Sequence, residues 1–299
     1  MAPAVSIVIP AKNEAVSLET LLPEIRANIP DSEIIVIDDG STDATASIAE
    51  KHRAVVIRHP ASIGNGGAIK AGARAASGAV IVFMDADGQH AAGDIRSLID
   101  AMSPGYDMCV GARSASAQSS AGRRVANWIY NRLASWVVGH QIDDLTSGFR
   151  AVNRDKFLQF LHLLPNGFSY PTTITMAFFR AAYPVRYVPL NILPNPGHSH
   201  ISPWRDGLRF LLIMTRVATL YSPLKIFFPL ASASFVAGIG VYLHSYFTVG
   251  KFTNMSALLL MTAVLVFLIG LVSEQITTVI YQLASRDMAD KTLRKHGKK

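Results

Sequence analysis

The sequence predicts an α/β domain built on a largely parallel sheet, followed by an interfacial helix and a two-helix transmembrane hairpin. Three observations carry this expectation. From residue 5 to about residue 110, short β-branched runs alternate with longer helical stretches, the pattern of strands joined by crossover helices. Residues 226–247 and 252–273 are two runs of 22 residues without Asp, Glu, Lys or Arg. The formal charge of +7 is also unevenly placed: residues 1–199 hold 17 basic and 17 acidic residues, whereas residues 200–299 hold 11 and 4.

Taken in order, residues 5–9, 33–37, 54–57, 79–84 and 108–110 read as strands, and residues 14–28, 43–52, 68–76 and 94–102 as helices. Residues 111–203 are less regular. They hold a basic helix around 123–138, an acidic turn at Asp143 and Asp144, and two Pro-rich stretches. This region is expected to complete the same domain and to cover one side of its ligand site. In open parallel sheets ligands bind beyond the carboxyl ends of strands. The loops after Ile9, Ile37 and Met84, all polar, are therefore the first places to seek chemistry.

After Pro203 the character changes. Residues 204–221 are helical in pattern, and at 100° per residue Arg205, Arg209 and Arg216 fall within about 40° of one another. That arrangement suits a helix at a membrane interface. Each following 22-residue run is long enough to cross a hydrocarbon core of about 30 Å. A core hairpin of a soluble protein is the alternative, and two adjacent runs behind an apolar lead-in helix speak against it. The intervening loop holds one lysine, Lys251, while basic residues flank the pair on both sides: Arg205, Arg209, Arg216 and Lys225 before it, and Arg286, Lys291, Arg294, Lys295, Lys298 and Lys299 after it. The positive-inside bias then places the first domain and both termini on the cytoplasmic side of a multi-pass inner-membrane protein. The expected divisions are 1–203, the α/β domain; 204–222, the interfacial helix; 223–284, the two spans; and 285–299, a basic tail. Glu274, near the inner end of the second span, faces either the hairpin interior or the interface.

Composition excludes several classes. A neutral first two-thirds without interleaved basic and aromatic residues argues against nucleic-acid binding. One cysteine, Cys109, excludes an internal disulfide and a cysteine-built zinc site and fits a reducing compartment. The start lacks a basic region and a cleavage site, so no secretion signal is expected.

The strongest local signal is Asp85-Ala-Asp87-Gly-Gln89-His90, directly after an apolar strand. Alternate side chains at a strand end point the same way, and two convergent carboxylates with a nearby amide suit a hard divalent cation that also binds phosphate oxygens. The same residues would also serve as a solvated turn capping the next helix. Pro10-Ala-Lys-Asn13-Glu14 and Asp38-Asp39-Gly-Ser-Thr-Asp43 are open to the same two readings. Placed at the ends of neighbouring strands, the three loops together would enclose one site.

With Gly64-Asn-Gly-Gly-Ala-Ile-Lys70 and Thr146-Ser-Gly-Phe-Arg150, these motifs occur in the order seen in inverting family 2 glycosyltransferases of GT-A fold. From about residue 5 to residue 201 the chain resembles the dolichyl- and polyprenyl-phosphate sugar synthases, and the hairpin fits that branch. The resemblance implies a UDP- or GDP-sugar donor, a polyprenyl phosphate acceptor and a membrane lipid environment. It also implies Mg2+ or Mn2+ as cofactor. Pro10, Asn13, Glu14 and Asp39 match positions that hold the nucleotide base and ribose, and Lys70 borders the nucleotide. Asp85, Asp87 and Gln89 match the metal-binding set. Arg113 and Arg123, the latter beside Arg124, match arginines that receive the lipid phosphate. Arg150 is placed near the site, in a catalytic or a structural role. Some members of the family are homo-oligomers, and these residues leave the oligomeric state open.

The acceptor phosphate is already anionic near neutral pH, with a second pKa of roughly 6 by analogy with phosphorylated side chains, so no strong general base is required. Arginine suits it through its planar, permanently charged fork. Two departures from the resembled pattern stand out: residues 168–175 carry no acid, and residues 195–200 read Asn-Pro-Gly-His-Ser-His, without the arginine and lysine of relatives. His198 and His200 either replace those donors or are surface residues. Among competing readings, a nicotinamide enzyme lacks its glycine fingerprint after the first strand, a Walker A sequence is absent, and Gln-x-x-Arg-Trp of processive synthases does not occur. A membrane-tethered sugar-nucleotide binder without activity, or a transferase using another lipid or glycan acceptor, would keep the same loops.

Overall fold

The computed structural model describes residues 4–102, 105–113, 121–167, 169–190, 215, 219 and 221–296; side chains are described for all of these except 121–127 and 283–296. The chain divides into two compact units, Met1–Ser202 and Pro203–Lys299.

The first unit is a seven-stranded sheet in the order β3-β2-β1-β4-β6-β5-β7. Strands β1 (Val5–Ala11), β2 (Glu33–Asp38), β3 (Val55–Arg58) and β4 (Val80–Phe83) pair in parallel. So do β5 (Met108–Arg113) and β7 (Val185–Leu190). Between these two groups runs β6 (Arg150–Asn153), antiparallel to both neighbours. Ile7, Val8, Ile9, Ile35, Val36 and Ile37 are fully buried, as expected of strands covered on both faces.

Side-chain alternation along β1 decides which helix lies where. Ile7 and Ile9 join one core with Leu18, Leu22 and Ile25 of α1 (Ala15–Asn28), Ala49 of α2 (Thr45–Lys51) and Ile95 and Leu98 of α4 (Asp94–Met102). On the opposite face, Val8 meets α3 (Asn65–Ala75) at Gly72, where a Cβ would stand only 2.2 Å from Val8 Cγ1. Phe83 packs there against Phe157 of α6 (Arg154–Gln159), with ring centres 4.7 Å apart and planes tilted by 40°, and Tyr170 of α7 (Tyr170–Arg180) approaches it edge-on. Among the described residues the remaining α-helix of this unit is α5 (Ala121–Val138). Cys109 is buried in the first of these cores, and burial pushes its thiol up to about 11, so it packs as a small apolar residue.

Several elements differ from the sequence expectation. Strands β6 and β7 and helices α6 and α7 were not anticipated as such, because 150–153 is too short for a pattern and Pro189 interrupts 185–190. Helix α3 starts at Asn65, three residues before the expected 68, after Gly64 at φ 105° turns the chain. Two glycines inside its first turn look like helix breakers in sequence, and the reason for them is tertiary. A Cβ on Gly66 would stand 2.1 Å from the Pro165 carbonyl oxygen.

The second unit contains α8 (Leu224–Val249) and α9 (Asn254–His296), joined through Gly250 in the left-handed conformation at φ 69°. They touch where Gly238 meets Leu260 and Gly270 meets Phe227. Only 11% and 17% of their most apolar windows are buried, so Phe228, Phe235, Val236, Leu265 and Val272 face outward. Two helices long and apolar enough to span, with their apolar surface outside, match a lipid solvent rather than a soluble core. Helix α9 continues well past the expected end at 273. Glu274 faces the hairpin partner: its Oε2 accepts from the Leu224 N–H at 3.2 Å and the Ser222 hydroxyl at 3.4 Å, capping the first turn of α8. Of the expected interfacial helix, 204–222, residues 204–214, 216–218 and 220 fall outside the described residues, as do the side chains of the basic tail.

Candidate active site

Because β1, β2 and β4 are parallel, their carboxyl ends meet at one edge, with Ala11 opposite Asp38 and Val8 opposite Phe83. The loops leaving that edge line a pocket of about 320 Å³, whose walls include Pro10, Lys12, Glu14, Asp39, Ser62, Gly64, Asn65, Asp85 and Asp87.

The first two loops are interlocked. Asn13 takes a left-handed φ of 57°, a conformation asparagine tolerates. Its N–H donates to Ser41 Oγ at 2.9 Å, and its side-chain oxygen accepts from the Thr42 N–H at 2.8 Å. The Glu14 and Ala15 N–H groups at the start of α1 are satisfied by Thr45 Oγ1 and Asp43 Oδ2 of the second loop. Asn13 thus joins two loops from an exposed position and does not line the pocket, while Pro10 and Glu14 do.

Asp39 is the hub of the third wall. Its Oδ1 meets His59 Nδ1 at 2.8 Å and accepts from the Ile63 N–H at 2.9 Å; its Oδ2 accepts from the Ser62 hydroxyl at 2.7 Å and the Gly64 N–H at 2.9 Å. Burial opposes the charge, but these bonds outweigh it and hold the carboxyl down at about 2. The chain after Gly64 then enters α3, whose Gly66 and Gly67 N–H groups donate to the Gly167 and Asn166 carbonyls at 3.3 and 2.9 Å. Lys70 reinforces this dock, reaching the Leu164 carbonyl at 3.2 Å and the Asn166 side chain. Its ammonium is therefore spent on the 164–166 loop and does not line the pocket.

The acid pair completes the pocket. Asp85 is half-buried, and its Oδ2 presses against Gly148, where a Cβ would stand 2.9 Å away. Asn65 hydrogen-bonds it from α3. Burial and then the Asp87 charge push the Asp85 carboxyl up to about 6. Asp87 is exposed, and its Oδ1 accepts from the Gln89 N–H at 3.1 Å, so a local Asx-type turn and the acid pair coexist. Gln89 lies outside the lining, and His90 turns into the core to stack on Phe149 at 4.5 Å.

Among the described residues no group of three His, Cys, Asp or Glu side chains converges as a metal cage. Two carboxylates whose charges repel at the mouth of a pocket fit a hard dication of another kind, one that takes its remaining oxygens from a diphosphate.

The arginines separate. Arg113, at the end of β5, grips Asp144 with Nε at 2.7 Å and Nη2 at 2.9 Å, and its side chain is 32% exposed. Arg150 is 0% exposed; Nη1 donates to the Pro171 carbonyl and Thr175 Oγ1, both at 3.1 Å, and Nη2 donates to the Ser147 carbonyl. It braces α7 against the turn that carries Gly148, so it shapes the wall from behind rather than meeting a ligand. The side chains of Arg123 and Arg124 and the whole 195–200 loop, with His198 and His200, lie outside the described residues. Lys12, Ser62 and Asn65 line the pocket without having been assigned a role from sequence. Lys12 and Asn65 sit inside motifs already singled out, whereas nothing in the sequence marks Ser62.

Known proteins bear directly on this arrangement. Residues 6–161 match the model of glycosyl transferase family 2, and residues 222–279 match that of the GtrB C-terminal hairpin. Glycosyltransferase AglJ of Haloferax volcanii is 32% identical over 247 residues, covering 81% of this chain and 80% of the relative. Polyprenol monophosphomannose synthase of Mycolicibacterium smegmatis is 31% identical over 167 residues, covering 50% of this chain and 61% of that protein. Glucosyl-3-phosphoglycerate synthase of Mycobacterium tuberculosis, solved with Mn2+, UDP and glucosyl-3-phosphoglycerate, shares the fold at a TM-score of 0.56 and 20% identity, over 72% of this chain and 78% of that one. A strand-end acid pair in a Rossmann-like sheet, followed by an apolar hairpin, is thus explained by descent as well as by chemistry: the chain belongs to glycosyl transferase family 2, and within it to the polyprenyl-phosphate sugar transferase-like enzymes.

Proposed function

We propose that this enzyme transfers one hexose from a UDP- or GDP-sugar to a polyprenyl phosphate at the cytoplasmic face of the membrane, with inversion at the anomeric carbon. The observation that carries it is the Asp85 and Asp87 pair in the wall of a pocket of about 320 Å³, closed on its other sides by the Pro10–Glu14 loop and the loop organised by Asp39. The name of the mycobacterial relative supports the acceptor, and the Mn2+ and UDP bound by the structural neighbour support the donor class.

In the reaction an acceptor phosphate oxygen attacks the anomeric carbon as the bond to the diphosphate breaks, and the nucleoside diphosphate leaves with the electron pair. Asp85 and Asp87 would hold Mg2+ or Mn2+, which when bound neutralises charge on that leaving group. The Pro10–Glu14 loop and the Asp39 hub shape the pocket for nucleoside and sugar. Arg113, with its side chain partly exposed, receives the acceptor phosphate, and Arg123 is assigned the same task. No residue has to remove a proton from an acceptor that is already ionised. Residues 1–203 form the catalytic domain, 204–222 lie at the interface, 223–284 supply the spans, and the basic flanks keep both termini in the cytoplasm.

The decisive experiment incubates the detergent-solubilised protein with polyprenyl phosphate, Mg2+ or Mn2+, and a panel of labelled UDP- and GDP-sugars. Label is expected in the lipid phase with at least one donor, abolished by chelation, and reduced by about a hundredfold or more in Asp87→Asn. No lipid-linked product from any donor, or an undiminished Asp87→Asn, would overturn the proposal.

A further inference from the structure

The acidic turn at Asp143 and Asp144 does not line the pocket, yet it is densely hydrogen-bonded. Asp144 is 5% exposed. Its Oδ2 accepts from Arg113 Nε at 2.7 Å and from the Arg113 N–H at 3.3 Å. Its Oδ1 accepts from Arg113 Nη2 at 2.9 Å, from the Thr146 N–H and hydroxyl, both at 3.1 Å, and from the Ser147 N–H at 3.2 Å. Burial opposes the Asp144 charge, but the hydrogen bonds and charge of Arg113 outweigh it and keep the carboxyl below the ordinary range.

The turn is fixed from outside as well. The Asn131 amide of α5 donates to the Asp143 carbonyl at 2.5 Å, and Asn131 Oδ1 accepts from the Leu145 N–H at 3.2 Å. The residue after Ser147 is Gly148, which rests on Asp85. One buried carboxylate therefore holds an arginine on one side and shapes the turn that presses on the pocket acid on the other. The grip on Arg113 is side-on, through Nε and Nη2, and Nη1 takes no part in it.

A free arginine side chain loses rotamer freedom when it is immobilised. An arginine already clamped has met that cost before its ligand arrives, so a phosphate reaching it binds more tightly. Opposing this, Asp144 partly neutralises the charge that attracts the phosphate. Its charge is, however, also spread over the two N–H groups and the hydroxyl of the turn, so preorganisation outweighs neutralisation.

We propose that Asp144 is a positioning residue for the acceptor phosphate: it clamps the Arg113 fork and, through the Thr146–Gly148 turn, sets that fork against Asp85. The proposal rests on the assignment of Arg113 to the acceptor phosphate made above.

The test uses the full-length protein in lipid nanodiscs, with labelled polyprenyl phosphate and the uncharged polyprenol as binding probes. Wild type is expected to prefer the phosphate. Asp144→Asn should weaken phosphate binding by about tenfold, the scale of a lost hydrogen bond to a charged group. Polyprenol binding, and UDP or GDP binding in Mn2+, should stay within about twofold, which also reports an intact fold. Arg113→Lys keeps the charge without the fork and should show the same phosphate-specific loss, and the double variant should lose less than about threefold more. In turnover, Asp144→Asn should raise KM for the lipid far more than it lowers kcat. Phosphate binding that is unchanged or tighter in Asp144→Asn, or a full additive loss in the double variant, overturns the role of Asp144. A wild type that binds phosphate and alcohol alike overturns the Arg113 assignment and with it this inference. Absence of sugar transfer alongside phosphate-selective binding overturns the proposed function alone.

Discussion

Asp39 spends both carboxylate oxygens on one short loop, and the consequence can be read in pH. Four bonds lower its pKa from 3.8 to about 2, a differential worth about 2 kcal/mol. Because the folded value is depressed, that stabilisation is present in full above the ordinary carboxylate range and is lost as pH falls through about 2. Asp39→Asn is expected to lower stability at neutral pH by about 2 kcal/mol and to flatten the acid limb between pH 4 and 2, as read from unfolding midpoints against pH. At this scale the sequence was informative about which residues gather and less so about what each one does. The strand-end positions of Pro10, Glu14, Asp39, Asp85 and Asp87 follow from period and turn chemistry, and all five line the pocket. The inward turn of Arg150 and the tether of Lys70 depend on partners far along the chain, Pro171 and Thr175 for one and Asn166 for the other. No local pattern carries that information.

Helix α3 shows the same limit for a whole element. Its glycine-rich start would lower helix propensity by about 1 kcal/mol per residue, so sequence alone delays the helix to residue 68, yet it begins at Asn65. The glycines are needed because the loop at 165–167 lies against the helix backbone, with two carbonyls accepting its first N–H groups. Gly66→Ala is therefore a case of two opposed effects. Helix propensity favours the alanine by about 1 kcal/mol, while a methyl 2.1 Å from a backbone oxygen incurs an overpacking cost of about 1–3 kcal/mol or more. The clash should win. Net destabilisation of about 1–2 kcal/mol, with a raised KM for the donor, is expected from thermal unfolding and steady-state kinetics; a more stable variant would contradict the dock. The short strand β6 was illegible for a related reason, since four residues flanked by a turn acquire strand identity only from the neighbours on either side.

At the level of the molecule, a weakly basic average dissolves into a neutral α/β unit and a basic, apolar second unit. The hairpin was the most legible part, because long apolar runs without charge need no tertiary context to be recognised. Helix α8, with 26 residues, extends about 39 Å at 1.5 Å per residue and exceeds a hydrocarbon core of about 30 Å. If both basic flanks lie in the cytoplasm as proposed, a reporter fused after Lys299 and one inserted beside Asn254 should label opposite sides of the membrane. Signals from the same side would remove the two-span arrangement.

The reversed strand β6 also orders events in time. Chains are made from the amino end and domains fold largely as they emerge. The first 102 residues already carry the acid pair and the Asp39 hub, but the edge of β4 stays unpaired until residues 150–153 are synthesised, and Gly148 reaches Asp85 only with them. The final strand, β7, follows at 185–190. Every pairing that closes the pocket is thus encoded upstream of Leu224, the first residue of the hairpin. Vectorial synthesis lets the strand-end pocket take shape in water before an apolar segment is made, so a lesion in the hairpin should strand a folded first unit rather than prevent its formation.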